Sequence, residues 1–225
     1  MGKTLLIAGT DTDVGKTVLT ISLVAYWQTY RFCQSLGLMK LMQTGVGDDE
    51  IYRQLFGNES SLDIVTPLFF DHPLAPPLAA AKTAKEVELN IVWQALTNLQ
   101  QKQDFVLVEA LGGLGSPVTQ ELIVANICAD WRLPTILVVP VKLGAIAQAV
   151  ANVALARSLK VELKGIILSC SQPISHQDIA DLAPTELIQS LTQVPVLGII
   201  PFISNLANKE KLAQIASHLD LELII

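Results

Sequence analysis

Leu5-Leu6-Ile7-Ala8-Gly9-Thr10-Asp11-Thr12-Asp13-Val14-Gly15-Lys16-Thr17 is the stretch that decides the fold. Leu5–Ala8 reads as a buried strand and Lys16–Tyr30 as a helix, so Gly9–Thr17 is a glycine-bounded loop between strand and helix. In that setting the main-chain N–H groups and the helix N-terminus present positive dipole to phosphate oxygens. Lys16 is placed to neutralise the β- and γ-phosphates, and the Thr17 hydroxyl to join a Mg²⁺ shell. Gly15 lets the main chain pass close to the nucleotide. The loop therefore predicts ATP binding with Mg²⁺. Its spacing is unusual: Thr10 to Val14 separate Gly9 from Gly15, one residue more than the common form.

Outward from this loop, short apolar runs alternate with helix-length segments. Gly37–Leu41, Phe105–Val108, Thr135–Val139, Gly165–Leu168 and Val196–Ile200 read as further buried strands. Ala84–Gln101, Glu121–Trp131, Ala145–Leu159, Thr185–Leu191 and Lys209–His218 read as helices. Such alternation predicts an α/β fold, a doubly wound, mostly parallel sheet with helices on both faces, over one domain from residue 1 to 225. Asn58–Lys82, with Pro67, Pro73, Pro76 and Pro77, reads as an ordered surface loop. Leu219–Ile225 alternates like a strand.

Composition narrows the function classes. Apolar residues make up 51% of the chain and charged residues 16%, with a net charge of −6. No basic cluster is present, which argues against nucleic acid as a partner. Cys33, Cys128 and Cys170 are scattered without disulfide or metal spacing, and His72, His176 and His218 carry no zinc signature. Leu133–Ala156 is apolar but interrupted by Pro134, Pro140, Lys142 and Gly144, so it reads as strand then helix rather than a membrane span. The apolar run at the N-terminus is too short for a signal-peptide core, and a cytoplasmic protein without a membrane partner is expected.

Ligands of open α/β sheets gather beyond the carboxyl ends of the strands. Glu109 ends the strand Phe105–Val108 and is followed by Gly112 and Gly113; a carboxylate there is placed to hold Mg²⁺. Lys40 lies near the end of Gly37–Leu41, where burying an ammonium calls for an anionic partner. Asp48, Asp49 and Glu50 follow, and any one of them is able to complete a metal shell.

These residues together resemble the dethiobiotin synthetases. The resemblance rests on Gly9–Thr17 with its long spacing and the acid Asp13, Lys40 with Thr44-Gly45, Pro73–Ala80, Val108-Glu109 with Gly112-Gly113, Val141–Gly144 and Gly198–Phe202, in family order over almost the whole chain. It implies a homodimer with shared active sites. It also implies carboxylation of 7,8-diaminononanoate by CO₂ or bicarbonate, phosphorylation of the carbamate by ATP to a carbamic-phosphoric anhydride, and ring closure to dethiobiotin. Carried onto this chain, it makes Lys40, Lys16 and Thr12 the catalytic residues. Asp13, Val14, Gly15, Lys16, Thr17, Val18, Asp49, Glu109, Gly112, Ser169, Pro201, Phe202 and Ile203 would bind ATP. Thr12, Lys40, Thr44, Gly144 and Ala145 would bind the substrate, the last two from the neighbouring subunit, and Thr17, Asp49 and Glu109 would hold Mg²⁺. Asp49 is preferred within the acidic trio because an intervening residue and an apolar helix position follow it.

The chain departs from the family pattern at Ala110 (usually glycine), Leu41 (usually proline) and Ser169 (an asparagine at the adenine edge). The rivals are a partition-type ATPase switch and another small-molecule ligase with a similar loop. Switch ATPases carry a lysine five residues before the loop lysine, where this chain has Asp11. The ligases with similar loops usually add a glutamine-cleaving domain, for which there is no room.

Overall fold

Successive side chains of a strand point to opposite faces of its sheet. In β1 (Lys3–Gly9), Leu5 and Ile7 enter one buried cluster while Leu6 and Ala8 enter another. The computed structural model describes residues 2–57 and 62–224. Along the chain follow β2 (Leu36–Lys40), β3 (Gln43–Thr44), β4 (Leu62–Val65), β5 (Phe69–Phe70), β6 (Phe105–Glu109), β7 (Thr135–Pro140), β8 (Leu163–Ser169) and β9 (Val196–Ile200). Among the described residues, seven strands form a parallel sheet in the order β4-β2-β6-β1-β7-β8-β9, and β3 and β5 pair separately.

The helices are α1 (Lys16–Tyr30), α2 (Asp48–Phe56), α3 (Pro76–Lys82), α4 (Leu89–Lys102), α5 (Val124–Asp130), α6 (Ala145–Ser158), α7 (His176–Leu182), α8 (Thr185–Thr192) and α9 (Lys209–Ser217). Leu5, Ile7, Leu36, Leu38, Phe105 and Leu107 pack with α1, α2 and α9 on one face. Leu6, Met39, Val106 and Val108 pack with α4, α5, α6 and α8 on the other. The expected doubly wound α/β fold is therefore present. The order reverses around β1, whose carboxyl end lies between β6 and β7 and carries the loop Gly9–Thr17.

All six expected strands form, each within a residue or two of its expected bounds. Asn58–Lys82 is more structured than its prolines suggest: β4, β5 and α3 lie in it, while residues 58–61 fall outside the described residues. Pro76 and Pro77 open α3, where a missing N–H costs no helical hydrogen bond, and Leu78–Ala81 continues it with good helix formers. Ala84, expected to start a helix, sits at φ 52°, so α4 begins only at Leu89. The strand expected at Leu219–Ile225 is absent from its described part. Leu219 and Ile224 are the residues buried against the α1 face, a turn-like spacing, and Leu221–Leu223 winds as a 3₁₀ turn.

Candidate active site

The phosphate loop is shaped by backbone sterics. Asp13 (φ 55°) and Gly15 (φ 97°) both occupy the left-handed region. A Cβ on Gly15 would also lie 2.1 Å from Ser169 Oγ at the end of β8, so only glycine fits there. Gly15 caps α1 without a side-chain hydrogen bond, and the first-turn N–H groups of a helix have no intrahelical acceptor. Lys16 folds back and donates to Asp11 O at 2.9 Å. Burial lowers the Lys16 pKa, with Glu109 pulling the other way.

On the other flank, the period of two places Lys40 on the face of Leu36 and Leu38, and Glu109 on the face of Phe105 and Leu107. Those faces are the same, and the parallel register sets Lys40 beside Glu109 on neighbouring strands. Lys40 Nζ donates to Glu109 Oε1 at 2.8 Å and also to Asp48 Oδ2. Thr17 Oγ1 lies 2.6 Å from Asp48 Oδ1 and 3.1 Å from Glu109 Oε1. The second oxygen of Glu109 accepts from Thr20 Oγ1 at 2.6 Å and from the Tyr52 hydroxyl. Glu109 is 0% exposed and Lys40 4%. Burial opposes the Lys40 ammonium, but Glu109 and Asp48 together outweigh it and raise its pKa. Burial likewise opposes the Asp48 carboxylate, yet Lys40 and Thr17 hold its pKa below the ordinary value.

A cleft of 580 Å³ opens onto this cluster. Thr12, Asp13, Gly15, Lys16, Thr17, Lys40, Thr44 and Gly112, all candidate site residues from the sequence, line it together. Val14 and Val18 pack beneath the loop against the α1-face core. Of the trio Asp48, Asp49 and Glu50, however, it is Asp48 rather than Asp49 that lines the cleft. Asp49 accepts from Arg53 Nε at 2.7 Å and Thr66 Oγ1 at 2.5 Å, which turns it away. The following apolar position did not set the phase of α2; the docking of Tyr52 and Phe56 in the core did.

Ser169 lies buried under Gly15, and Pro201, Phe202 and Ile203 follow β9 at the far flank, outside the cleft lining. Gly144 starts α6 at φ 92° with open space around it, also outside the cleft. Ala145 is a poorer candidate than expected: it is fully buried and its N–H is spent on Lys142 O at 3.0 Å. The departures at Ala110 and Leu41 are absorbed by the core, where both side chains are fully buried. Sequence reasoning missed Thr20 and Tyr52. The only available signal was spacing, Thr20 one helical turn after Lys16 and Tyr52 one turn after Asp48.

The donors fit a hard divalent cation. Among the described residues no three His, Cys, Asp or Glu side chains form a metal cage. The cluster offers two carboxylates and one hydroxyl, and Mg²⁺ is commonly held by one or two carboxylates with phosphate oxygens completing its shell. Among the described residues no helix is long and apolar enough to cross a membrane.

Comparison with known proteins bears on this geometry. A family profile described as an AAA domain matches residues 3–210. The ATP-dependent dethiobiotin synthetase of Gloeothece citriformis is 66% identical over 98% of both chains. That of Crocosphaera subtropica is 58% identical over 98% of this chain and 99% of its own. Among solved structures, a ParA family ATPase from Chlorobium tepidum aligns with a TM-score of 0.63 at 11% identity, covering 99% of this chain and 96% of that one. The septum site-determining protein MinD of Pyrococcus horikoshii, complexed with Mg-ADP, gives 0.58 at 15%, covering 96% and 95%. At such identities these two structures speak for the fold alone.

Proposed function

The chain belongs to the ATP-dependent dethiobiotin synthetase family, and we propose that the cleft between the phosphate loop and the ends of β2 and β6 is where it closes the ring. It is an ATP-dependent ligase of biotin synthesis, acting on diaminononanoate. The observation that carries the site is the placement of Lys40 between Glu109 and Asp48, beside Lys16 and Thr17.

The chemistry asks for concentrated positive charge. An amine of 7,8-diaminononanoate takes up CO₂, drawn from bicarbonate, forming an N–C bond and losing a proton to give a carbamate. A carbamate oxygen then accepts the γ-phosphoryl group, releasing ADP. The second amine attacks the carbonyl carbon, forming the ring N–C bond and losing a proton, and the C–O bond breaks with its electrons leaving on phosphate. Two anions must meet in the middle step, and fixed cations offset their repulsion without reorganising. Lys16 and Lys40 are those cations. Because its carboxylate partners raise the Lys40 pKa, Lys40 remains an ammonium at neutral pH and acts by charge, not as a proton acceptor. Thr12 and Thr44, which both line the cleft, are the hydrogen-bonding groups for the substrate. Thr17, Asp48 and Glu109 would hold Mg²⁺, which neutralises phosphate charge when bound.

We read the working enzyme as a cytoplasmic homodimer. Leu143 is 88% exposed beside Gly144, and Val150 on α6 is also exposed. A second copy seated there would bring the α6 N-terminus to the substrate carboxylate. Only fold similarity speaks for a switch ATPase, and Asp11 keeps its side chain local, accepting from Thr12 N at 2.7 Å. The decisive assay mixes the protein with ATP, Mg²⁺, bicarbonate and 7,8-diaminononanoate and looks for dethiobiotin by mass. Product is expected; no product, with ATP turnover indifferent to the diamine, would contradict the assignment.

A further inference from the structure

Asp48 and Tyr52 stand one turn apart on α2, so their side chains share a face of the helix. That face meets the ends of β2 and β6. Asp48 engages Lys40 and Thr17, and the Tyr52 hydroxyl donates to Glu109 Oε2. The Tyr52 ring is 0% exposed within the α1-face core, which fixes where its hydroxyl points. Thr20, the other donor to the same oxygen, has a second acceptor in reach: Lys16 O at 2.9 Å competes with Glu109 Oε2 at 2.6 Å.

A carboxylate on a two-methylene tether rotates unless both oxygens are held. Here Oε1 faces Thr17 and Lys40 while Oε2 faces Thr20 and Tyr52. We propose that Tyr52 is a positioning residue for the metal-binding carboxylate: its buried hydroxyl pins Glu109 Oε2 and so presents Oε1 beside Thr17 and Asp48. Groups that orient a metal ligand in this way commonly govern metal affinity. The same contact ties the docking of α2, and with it Asp48, to the end of β6. One residue thus sets the spacing of both carboxylates. This role rests on Glu109 being a Mg²⁺ ligand.

The test is direct metal binding, independent of turnover. Mn²⁺ is titrated into the protein with ADP present and followed by electron paramagnetic resonance, for wild type, Tyr52→Phe and Glu109→Gln. Tyr52→Phe keeps the ring and is expected to raise half-saturating Mn²⁺ about 10-fold, with metal-free ADP binding unchanged. Normal Mn²⁺ binding by Tyr52→Phe alongside weakened binding by Glu109→Gln overturns the role of Tyr52 and spares Glu109. Normal binding by both removes Glu109 from the metal site and the proposal with it. Equal losses of Mn²⁺ and metal-free ADP binding mark general loosening and also overturn it. Should Tyr52→Phe fail to fold, Tyr52→Leu removes the same hydroxyl while keeping an apolar side chain in the core. The Mn²⁺ affinity of that variant is expected to fall while metal-free ADP binding holds, and unchanged Mn²⁺ affinity overturns the proposal.

Discussion

β2 and β6 end in Lys40 and Glu109, and with the half-buried Asp48 and Thr17 and the buried Thr20 and Tyr52 they form a network whose charged members are all paired. β8 and β9, on the far flank of the phosphate loop, end in Ser169 and Ile200, and β9 is followed by the exposed Pro201 and Phe202 and the half-buried Ile203. One flank is built of charge and the other of shape. Buried ion pairs are costly to desolvate and fail badly when one partner is removed. Such a cluster suits a place where charge must be held still, which is the role proposed for it at the phosphates and the reacting carbamate. We propose that the adenine base lies on this second flank, which needs only a surface to pack on.

Removing the central cation breaks this contrast most sharply. Lys40→Ala is expected to lower the rate of dethiobiotin formation by about 10³-fold while ATP affinity stays near wild type. Product by mass, beside equilibrium binding of ATP, checks it; ATP affinity falling in step with turnover would place Lys40 in nucleotide binding instead. The two neighbouring acids give the next largest effect. Asp48→Asn should cost about 10²-fold in kcat/KM. Asp49→Asn should leave turnover alone and cost about 1 kcal/mol in urea unfolding, a small figure because Arg53 is largely exposed. The reverse pattern would return Asp49 to the metal site. On the base flank the effect should be slight: Ser169→Ala changes KM for ATP by about 3-fold or less. A larger loss would mean that this flank also recognises the nucleotide through polar contacts.

How legible these features were depended on how local their signals are. Lys40 and Glu109 stood out as charged residues at the ends of apolar strands, and alternation alone puts each on a definite face. Asp48 was passed over for Asp49 because each residue turns a helix by about 100°, and which acid faces the site depends on how α2 seats. Tyr52 looked like one more aromatic in an amphipathic helix, since nothing near it in sequence announces the carboxylate it meets. Pro76 and Pro77 read as loop residues because proline breaks helices everywhere except at their first turn. At Leu219–Ile225 a short alternation matched a strand, but burial of Leu219 and Ile224 selected a turn.

By itself the sequence determined the parallel sheet, the phosphate loop between strand and helix, and the lysine and glutamate that the chemistry needs. The sheet, the loop and the placement of Lys40 and Glu109 at strand ends, to which the chemistry is assigned by proposal, follow from apolar runs and glycine placement, which act over a few residues. Only the tertiary structure decided that Lys40 and Glu109 are register neighbours, that Asp48 joins them, and that Tyr52 and Thr20 hold the far oxygen of Glu109. These pairings span from 8 to 89 residues of chain. They are set by strand order and by the seating of α2 on the core, and neither is written in any local pattern.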